Sequence, residues 1–486
     1  MTPGMEFGGD RDLSTLRLGI VTRNRPDALA EAIRSLASDP GLLETGEAVV
    51  VVDASDCCSD PPNGEVSPST GTCQVEYAGP RQKRRYIQKL GEFGIPQETA
   101  EFALFGSPFC ENGTGANRNA LLLATAGERL FSMDDDALLV LRRPQEAETG
   151  ICRSGQFDPR EMTLHRDYEA ALSCTAPASG PALAAHRDLL GKTLPSESPN
   201  DGVRFIGMTM PGLVGDAGVS CASRLMWFHP ASLANLIESQ DHYYSLRSTR
   251  WVTRLVLRPT LSSSPFCMTT FIGLANHLLL PPFIPNGRSS DVLFGAMMRH
   301  CHPRSLSAYL PEALVHRPFE RRSPPEIRKP LPARIAHAMG SLIREIAQER
   351  VLESPREAME LIGAKLIHVG TQPKEGLLEF LRYSHHAQST RMAAYLGNRL
   401  AEFRSTAPRW AEDAEPYGNE LSAGAGKYEA AVPSDIASDR PWPVRLAAVH
   451  RYCGDFGRLL SSWPALAEAS QAIRVSGERM GDMMSA

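Results

Sequence analysis

The sequence predicts an α/β domain, built on a mostly parallel sheet flanked by helices, followed by an all-α C-terminal region. Three observations support this fold class. A strand, a helix and a second strand follow one another before Asp53, a later apolar run also ends in aspartate, and helical periodicity dominates from about residue 330. The chain has 486 residues, which is enough for two or three domains.

The N-terminal segment predicts a right-handed βαβ unit. Residues 16–22 form the first predicted strand, and residues 28–36 carry apolar side chains at helical spacing. Residues 48–52 are continuously apolar and rich in valine, which is typical of a central parallel strand buried on both faces. Because two such strands joined by a helix pair in parallel with a right-handed crossover, this order starts a doubly layered α/β domain.

The remaining elements of this domain, which we expect to span residues 14–325, are less regular. We predict helices over 117–126 and 291–300 and strands over 130–133, 202–210 and 220–228. Residues 211–218 contain three glycines and predict a flexible loop between the last two strands. Residues 141–200 show little periodicity and predict an insertion over the site.

The second region, residues 330–486, is predicted to be helical. Its amphipathic segments are residues 333–349, 355–367, 376–386, 389–403, 444–461 and 465–474. A polar linker is predicted near residues 412–438. We expect this region to shape a binding site or to form a homodimer.

Composition narrows the classes of function. The net charge of −5 implies no general attraction to nucleic acid, so no nucleic-acid partner is expected. The longest apolar stretch, residues 271–284, is interrupted by polar residues and prolines, so no transmembrane segment is expected. The ten cysteines form no dense disulfide pattern, and the N-terminus lacks an apolar signal sequence. These features predict a cytoplasmic protein.

Three consecutive aspartates, Asp134, Asp135 and Asp136, are the most informative feature of the chain. They follow an apolar run, and a buried strand would deliver them to the carboxyl edge of the sheet, where open α/β sheets bind ligands. Carboxylates so close together disfavour each other's ionisation. A hard divalent cation resolves that conflict, so the sequence predicts Mg²⁺ or Mn²⁺ bound together with a diphosphate.

Four motifs in residues 14–320 resemble those of family 2-like glycosyltransferases with the GT-A fold. The turn Thr22-Arg23-Asn24-Arg25-Pro26 resembles their T-x-N-R-P turn, and Asp53 ends the second strand as a family carboxylate does. Residues 115–120, GANRNA, resemble a G-x-x-x-A-R-N segment, and residues 131–136, FSMDDD, resemble the strand that ends in D-x-D. The order and spacing of the motifs make the combination more specific than each motif alone.

The resemblance implies a GT-A-like sheet with a Rossmann-like nucleotide-binding half and a metal-dependent donor site. It implies that a nucleotide-sugar, most simply a UDP-sugar, contacts Thr22, Asn24, Arg25, Asp53, Arg118, Asn119 and Asp134. It also implies that Asp134 and Asp136 bind Mn²⁺ or Mg²⁺ and that His316, at the end of a later apolar run, completes the metal site. Asp216 is a further candidate contact to the donor sugar, although a simple turn between strands also explains that segment.

Asp291 is the candidate catalytic base, because inverting members of this family carry an aspartate at the start of a late helix. The glutamate that usually precedes it is Ser290 here. The alternative is that Ser290 and Asp291 only cap the helix.

The sequence thus favours an inverting hexosyltransferase that transfers a sugar from a nucleotide-sugar to a hydroxyl or thiol of an acceptor such as a peptide, a metabolite or a glycan precursor. Two alternatives stay open: a nucleotidyltransferase, and a non-catalytic binding module or scaffold on the same fold. The turn at residues 22–26 lacks the glycines that nucleotidyltransferases place there, and the intact aspartates disfavour a scaffold.

Overall fold

The computed structural model describes residues 16–483 except 46–47, 56–68, 71–72, 111–112, 156–157, 196–201, 219–222, 229, 319–326, 349–351 and 353. Its strands are β1 (Leu16–Thr22), β2 (Val49–Asp53), β3 (Ser69–Thr70), β4 (Cys73–Ala78), β5 (Arg129–Asp134), β6 (Ala137–Pro144), β7 (Cys152–Ser154), β8 (Glu161–His165), β9 (Thr175–Pro177), β10 (Thr193–Leu194), β11 (Arg204–Asp216), β12 (Trp251–Leu255), β13 (Thr260–Ser262), β14 (Phe271–Leu274) and β15 (Ser305–His316). Its helices are α1 (Pro26–Leu36), α2 (Pro40–Thr45), α3 (Pro80–Glu92), α4 (Gln97–Phe105), α5 (Thr114–Ala124), α6 (Tyr168–Ser173), α7 (Ala184–Leu189), α8 (Ser223–Met226), α9 (Pro230–Leu236), α10 (Gln240–Leu246), α11 (Ser290–Cys301), α12 (Ile335–Gln348), α13 (Pro355–Thr371), α14 (Lys374–Phe403), α15 (Pro408–Gly424), α16 (Tyr428–Ala431) and α17 (Trp442–Val475).

The protein is mixed α/β, with one large sheet that combines parallel and antiparallel pairs. The strands β4, β2, β1 and β5 lie side by side and pair in parallel, which confirms the predicted βαβ unit. All five residues of β2 are buried, as expected for a strand covered on both faces. Beyond β5 the sheet continues with β14, which is antiparallel to its neighbours, and then with β11 and β15, which pair in parallel.

Two predictions about the middle of the chain were wrong. Residues 211–216, predicted as loop, continue β11, where pairing with β12 and β15 holds the glycines within the sheet. Residues 223–226 form α8 instead of a strand, and the first residues of that predicted strand lie outside the described residues. Residues 141–200, predicted as an insertion over the site, contribute β7, β8 and β9 to the sheet.

The C-terminal region is helical, as predicted, but its helices are longer than the sequence pattern indicated. Two predicted helices merge into α14, and two more merge into α17 despite Pro464 within it. Many side chains along α17 are buried, so tertiary packing offsets the backbone hydrogen bond that proline removes. Most of the predicted linker at 412–438 is also helical, because α15 extends to Gly424.

The helical region packs directly on the sheet domain and shares its hydrophobic core. Side chains of α3, α4 and α5 belong to the same buried cluster as those of α13 and α17. Two buried hydrogen bonds join the parts: the Trp463 indole donates to the Leu280 carbonyl at 2.7 Å, and the Asn286 amide donates to the Tyr452 hydroxyl at 3.1 Å. Within the described ranges, no helix combines the length and apolar character needed to cross a membrane.

Candidate functional site

The candidate site is a cleft of about 660 Å³ at the carboxyl ends of β1 and β5. From β1 the chain runs to β2 and β4 on one side, and it then returns to β5 on the other side. Such a reversal of strand order opens a crevice where open α/β sheets bind ligands. The cleft is lined by Val21, Thr22, Arg23, Arg25, Ala54, Gly113, Thr114, Asn117, Arg118, Asp134, Asp135, Asp136, Gly218, Thr270, Arg288 and His316.

All three aspartates line this cleft. The Arg118 guanidinium contacts Asp134 at 2.6 Å. The Thr22 hydroxyl donates to Asp135 at 2.8 Å. Asp136 lies 3.1 Å from the Nε2 atom of His316. The register explains this placement, because β1 pairs with β5 so that Val21 lies opposite Asp134.

Arg25 spans two of the aspartates. Its Nη1 atom lies 3.2 Å from a carboxylate oxygen of Asp135 and 3.4 Å from one of Asp136. It is the residue before α1, and the preceding Asn24 has a φ of 54°, a left-handed conformation that asparagine tolerates better than most residues. The Asn24 amide donates to the Ser55 hydroxyl at 2.8 Å. The T-x-N-R-P turn therefore points the guanidinium of Arg25 back over the aspartates.

The cleft raises the pKa of two of its aspartates, Asp134 and Asp135. Burial raises the pKa of Asp134, and the neighbouring Asp136 adds to this shift while Arg118 opposes it. Burial and the Asp136 charge raise the pKa of Asp135 to about 6, against the effect of Thr22 and Arg25. Perturbed carboxylates of this kind in a cleft are typical of functional sites.

His316 is brought to Asp136 by strand pairing. The residue ends β15, which pairs with β6 so that His316 lies opposite Ala137. Its Nδ1 atom lies 2.7 Å from the Asp216 carbonyl oxygen, so Nδ1 carries a proton and Nε2 faces Asp136. Although burial opposes protonation, the Asp136 carboxylate raises the pKa of His316.

The types of donor atom present fit a hard divalent cation. Carboxylates and imidazole are ligands of Mn²⁺, and a histidine that ligates metal commonly donates its other N–H to a backbone carbonyl, as His316 does here. However, no three His, Cys, Asp or Glu side chains within the described ranges are already arranged around one point. Asp136 and His316 would need further ligands from substrate phosphates, which is the usual way that Mg²⁺ is held.

Helix α5 supplies one face of the cleft, but not every polar residue in its first turns faces the cleft. Arg118 and Asn117 line it. Asn119 is fully buried and points away, since its side-chain amide donates to the carbonyls of Ala103 and Phe283 and its oxygen accepts from the Phe283 amide. Its predicted contact with a donor nucleotide is therefore not seen in this arrangement and stays a prediction.

The carboxylates of Asp53 and Asp216 are likewise buried and bonded to other protein groups. The Asp53 carboxylate is fully buried and accepts from Ser55 and from the Tyr77 hydroxyl, the latter at 2.6 Å. Asp216 accepts two hydrogen bonds from Arg250, each 2.8 Å long, and these hydrogen bonds hold its pKa below the usual range despite burial. Neither residue lines the cleft, so their predicted roles toward a donor are untested by this geometry.

Residues that the sequence did not single out also shape the cleft. Asn117 donates from its side-chain amide to the Thr22 carbonyl at 3.1 Å and accepts from the buried ammonium of Lys83 at 2.9 Å. Thr270 closes the opposite wall, where its carbonyl accepts from the Asp134 amide. The only sequence signal for Asn117 was its place in the GANRNA segment, and Lys83 gave none, because lysine side chains are normally solvated.

Asp291 lies in the first turn of α11. Its side chain is half-buried, and its carboxylate is close enough to Asp134 to contribute to the raised pKa of that residue. Ser289, two residues before Asp291, has a φ of 68°, so the backbone adopts the left-handed conformation where the loop turns into the helix. The same loop carries Arg288, which lines the cleft. Asp291 itself is not among the residues that line the cleft, so its predicted role as base is untested by this geometry.

No protein-family model matches this chain, and no curated protein matches its sequence significantly. The resemblance to glycosyltransferases consequently rests on the four motifs, and the argument for function has to come from the cleft itself.

Proposed function

We propose that the protein is a metal-dependent glycosyltransferase with a GT-A-like fold that transfers a hexose from a nucleotide-sugar, most simply a UDP-sugar, to an acceptor. One observation carries this proposal. Asp134, Asp136, Arg25, Arg118 and His316 converge on a single cleft at the switch point of the sheet. Both signs of charge are needed there, since a diphosphate attracts guanidinium groups directly and attracts carboxylates only through a cation.

The roles of the residues follow from their chemistry. Asp136 and His316, with Asp134, would hold Mn²⁺ or Mg²⁺. The cation would stabilise the negative charge that develops on the leaving diphosphate. Arg25 and Arg118, which now contact the aspartates, can donate to phosphate oxygens through paired N–H groups.

Asp291 is proposed as the base that accepts the acceptor's proton, which would make the enzyme inverting. Its charge contributes to the raised pKa of Asp134, which supports this role, because the attacked anomeric carbon must lie close to the metal-bound diphosphate. Its carboxylate accepts a hydrogen bond from the adjacent Val292 amide at 2.9 Å, as a simple helix cap does. The two roles are compatible, since a carboxylate has acceptor positions for both.

The cleft also bears on the alternatives. A nucleotidyltransferase would use a similar acidic site but a nucleoside triphosphate, so nucleotide preference separates the two activities. A non-catalytic module on this fold would have no need to retain two buried carboxylates with raised pKa values, which destabilise the folded protein at neutral pH.

Calorimetric titration of the full chain with UDP, GDP and dTDP and with the corresponding triphosphates, each with and without Mn²⁺, tests the proposal. We expect one nucleoside diphosphate to bind in a metal-dependent manner and more tightly than its triphosphate. Preference for the triphosphate would favour a nucleotidyltransferase. Absence of binding by every nucleotide, with a folded protein, would refute the donor site.

Two variants separate donor binding from transfer. Asp136→Asn should abolish metal-dependent nucleotide binding, whereas Asp291→Asn should preserve it and abolish transfer, measured as release of the nucleoside diphosphate in the presence of acceptor. Asp439→Asn is the matched control, because this carboxylate is about three-quarters exposed. Loss of nucleotide binding in Asp291→Asn would contradict its assignment as base.

A further inference from the structure

A second cavity, of about 330 Å³, lies between the C-terminal end of α11, helices α12 and α13, and the strands β11 and β15. We call it the distal cavity, because none of the described residues lines both this cavity and the cleft that contains the three aspartates. Its volume is near the lower end of the range of about 300–1,000 Å³ that is usual for small-ligand sites. The distal cavity therefore has room for one small molecule.

Apolar side chains form most of the lining of the distal cavity. Met208 of β11, Met298 of α11 and Ile362 of α13 are buried lining residues, whereas Leu352 and Leu361 are half-buried. Methionine is unbranched and adapts to irregular apolar shapes. Because an alkyl chain needs no hydrogen-bond partner, walls of this kind fit an alkyl chain better than a polar ligand.

The polar part of the lining includes one guanidinium group at the solvent-exposed rim. Arg299, in the last turn of α11, is exposed, and its Nη1 atom lies 3.5 Å from the Ser263 carbonyl oxygen. Both residues line the cavity. Within the described part of the chain, no Asp or Glu side chain lines the cavity or forms an ion pair with Arg299. The rim thus presents a positive charge that no carboxylate neutralises.

Other basic groups near the rim add to this positive charge. Burial, together with the charges of Arg299 and Arg344, lowers the pKa of His300, which also lines the cavity. Burial and the charge of Arg391 lower the pKa of Arg344 in turn. Like charges disfavour each other's ionised forms when opposite charges do not offset them. The electrostatic field at the rim therefore favours an anion.

A close contact between α11 and the segment 263–265 sets the shape of the cavity. A Cβ atom at Gly295 would lie 1.9 Å from the Pro265 carbonyl oxygen, so the segment can approach α11 this closely only because residue 295 is glycine. The segment forms a wall of the cavity beside Arg299. A volume of about 330 Å³ accommodates a single alkyl chain, whereas a lipid with two long chains would need much more space.

We propose that the distal cavity binds an amphipathic anion with a single alkyl chain, a fatty acid or an alkyl phosphate. The chain occupies the apolar space beside Met208, Met298 and Ile362. The anionic group contacts Arg299 at the rim, because a guanidinium donates two N–H groups to a carboxylate or a phosphate. This inference goes beyond the glycosyltransferase function proposed above and does not depend on it.

Isothermal titration calorimetry of the full chain tests the proposal with octanoate, octyl phosphate, 1-octanol and inorganic phosphate. We expect at least one of the two amphipathic anions to bind roughly threefold to tenfold more tightly than octanol, because only the anions bond to Arg299. The tighter anion identifies the head group, and inorganic phosphate alone should not bind. In the series hexanoate, octanoate and decanoate, each methylene that enters the cavity should tighten binding about twofold to fourfold until the cavity is full.

Two variants test the two parts of the site. Arg299→Gln should weaken the amphipathic anion roughly threefold to tenfold and leave octanol unchanged, because it removes only the charge. Leu361→Trp places a larger side chain at a half-buried position of the wall and should weaken both ligands. Arg382→Gln is the matched control, since Arg382 is 42% exposed and does not line the cavity. Circular dichroism melting verifies that each variant folds.

Three results would overturn the proposal. These are absence of binding by every alkyl ligand, equal affinity of octanol and both amphipathic anions for the wild-type protein, and unchanged anion affinity in Arg299→Gln and Leu361→Trp when both are folded. Nucleotide binding is titrated in separate samples, so a failure of the distal cavity is distinguishable from a failure of the donor site.

Discussion

Asp413 provides a sharp test of how the helical region is held on the sheet domain. This residue lies in α15, within the segment predicted as a linker, and its carboxylate is fully buried. It accepts hydrogen bonds from the Tyr243 hydroxyl at 2.9 Å, from Arg247 at 2.5 Å and from Arg328 at 3.0 Å. We predict that Asp413→Asn destabilises the protein by about 3 kcal/mol.

The magnitude follows from the exposure of the three donors. Removing one partner of a buried ion pair costs about 3–5 kcal/mol when the other is left without solvation. The Arg328 side chain is 58% exposed and regains water, so its share is small, and Arg247 is 24% exposed. Tyr243 is fully buried and cannot be rehydrated. Asparagine keeps one acceptor oxygen, which places the expected cost at the low end of the range.

The assay is urea unfolding at pH 7, followed by far-ultraviolet circular dichroism and by tryptophan fluorescence, so that a departure from two-state behaviour is visible. Arg328→Gln is the matched variant and should cost less than about 1 kcal/mol, because its partner stays paired with two other donors. A cost below about 0.5 kcal/mol for Asp413→Asn, or equal costs for both variants, would refute the argument that this buried carboxylate fixes α15.

Three further predictions concern the sheet domain. Burial opposes ionisation of Asp158, but the adjacent Arg160 and Arg254 hold its pKa at about 2, below the ordinary 3.8. The ionised carboxylate therefore stabilises the folded protein fully above about pH 4, and this stabilisation is lost between about pH 4 and pH 2. The difference in unfolding free energy between wild type and Asp158→Asn should consequently shrink by about 2 kcal/mol over that interval in pH-dependent urea titrations, whereas a constant difference would contradict the pKa shift. Gly115→Ala would place a Cβ atom 1.8 Å from the Ile284 carbonyl oxygen. We therefore expect thermal unfolding to show a loss of about 1–3 kcal/mol in stability, together with weaker nucleotide binding as α5 shifts. An unchanged stability would disprove the close contact. Asn119→Ala should lower the free energy of unfolding by at least about 2 kcal/mol, because three buried backbone groups lose their hydrogen-bond partner. The folded fraction should bind nucleotide with unchanged affinity. Weaker nucleotide binding by a fully folded variant would instead support the donor contact implied by the family resemblance.

The elements that the sequence predicted well are those whose signal is local. Strands β1 and β2 and helix α1 follow from a few consecutive residues, because the alternation or helical spacing of apolar side chains is readable within one element. The position of the aspartates at a strand end was predictable for the same reason. The wrong predictions concern segments whose structure depends on pairing with distant strands. Strand β11 continues through Gly212 and Gly215 because it pairs with β12 and β15.

The candidate site shows the same division between local and long-range information. The sequence alone determined that Asp134 and Asp136 leave a buried strand and that Arg25 follows a turn, since both facts depend on adjacent residues. Only the tertiary structure decided that Asp136 meets His316, which is 180 positions away in the chain, and that Asn119 faces the interior while Arg118 faces the cleft. The register between strands and the packing of α5 against the loop at 283–286 set those directions. These are long-range contacts, and side chains of the same type give no local sign of which way they will face.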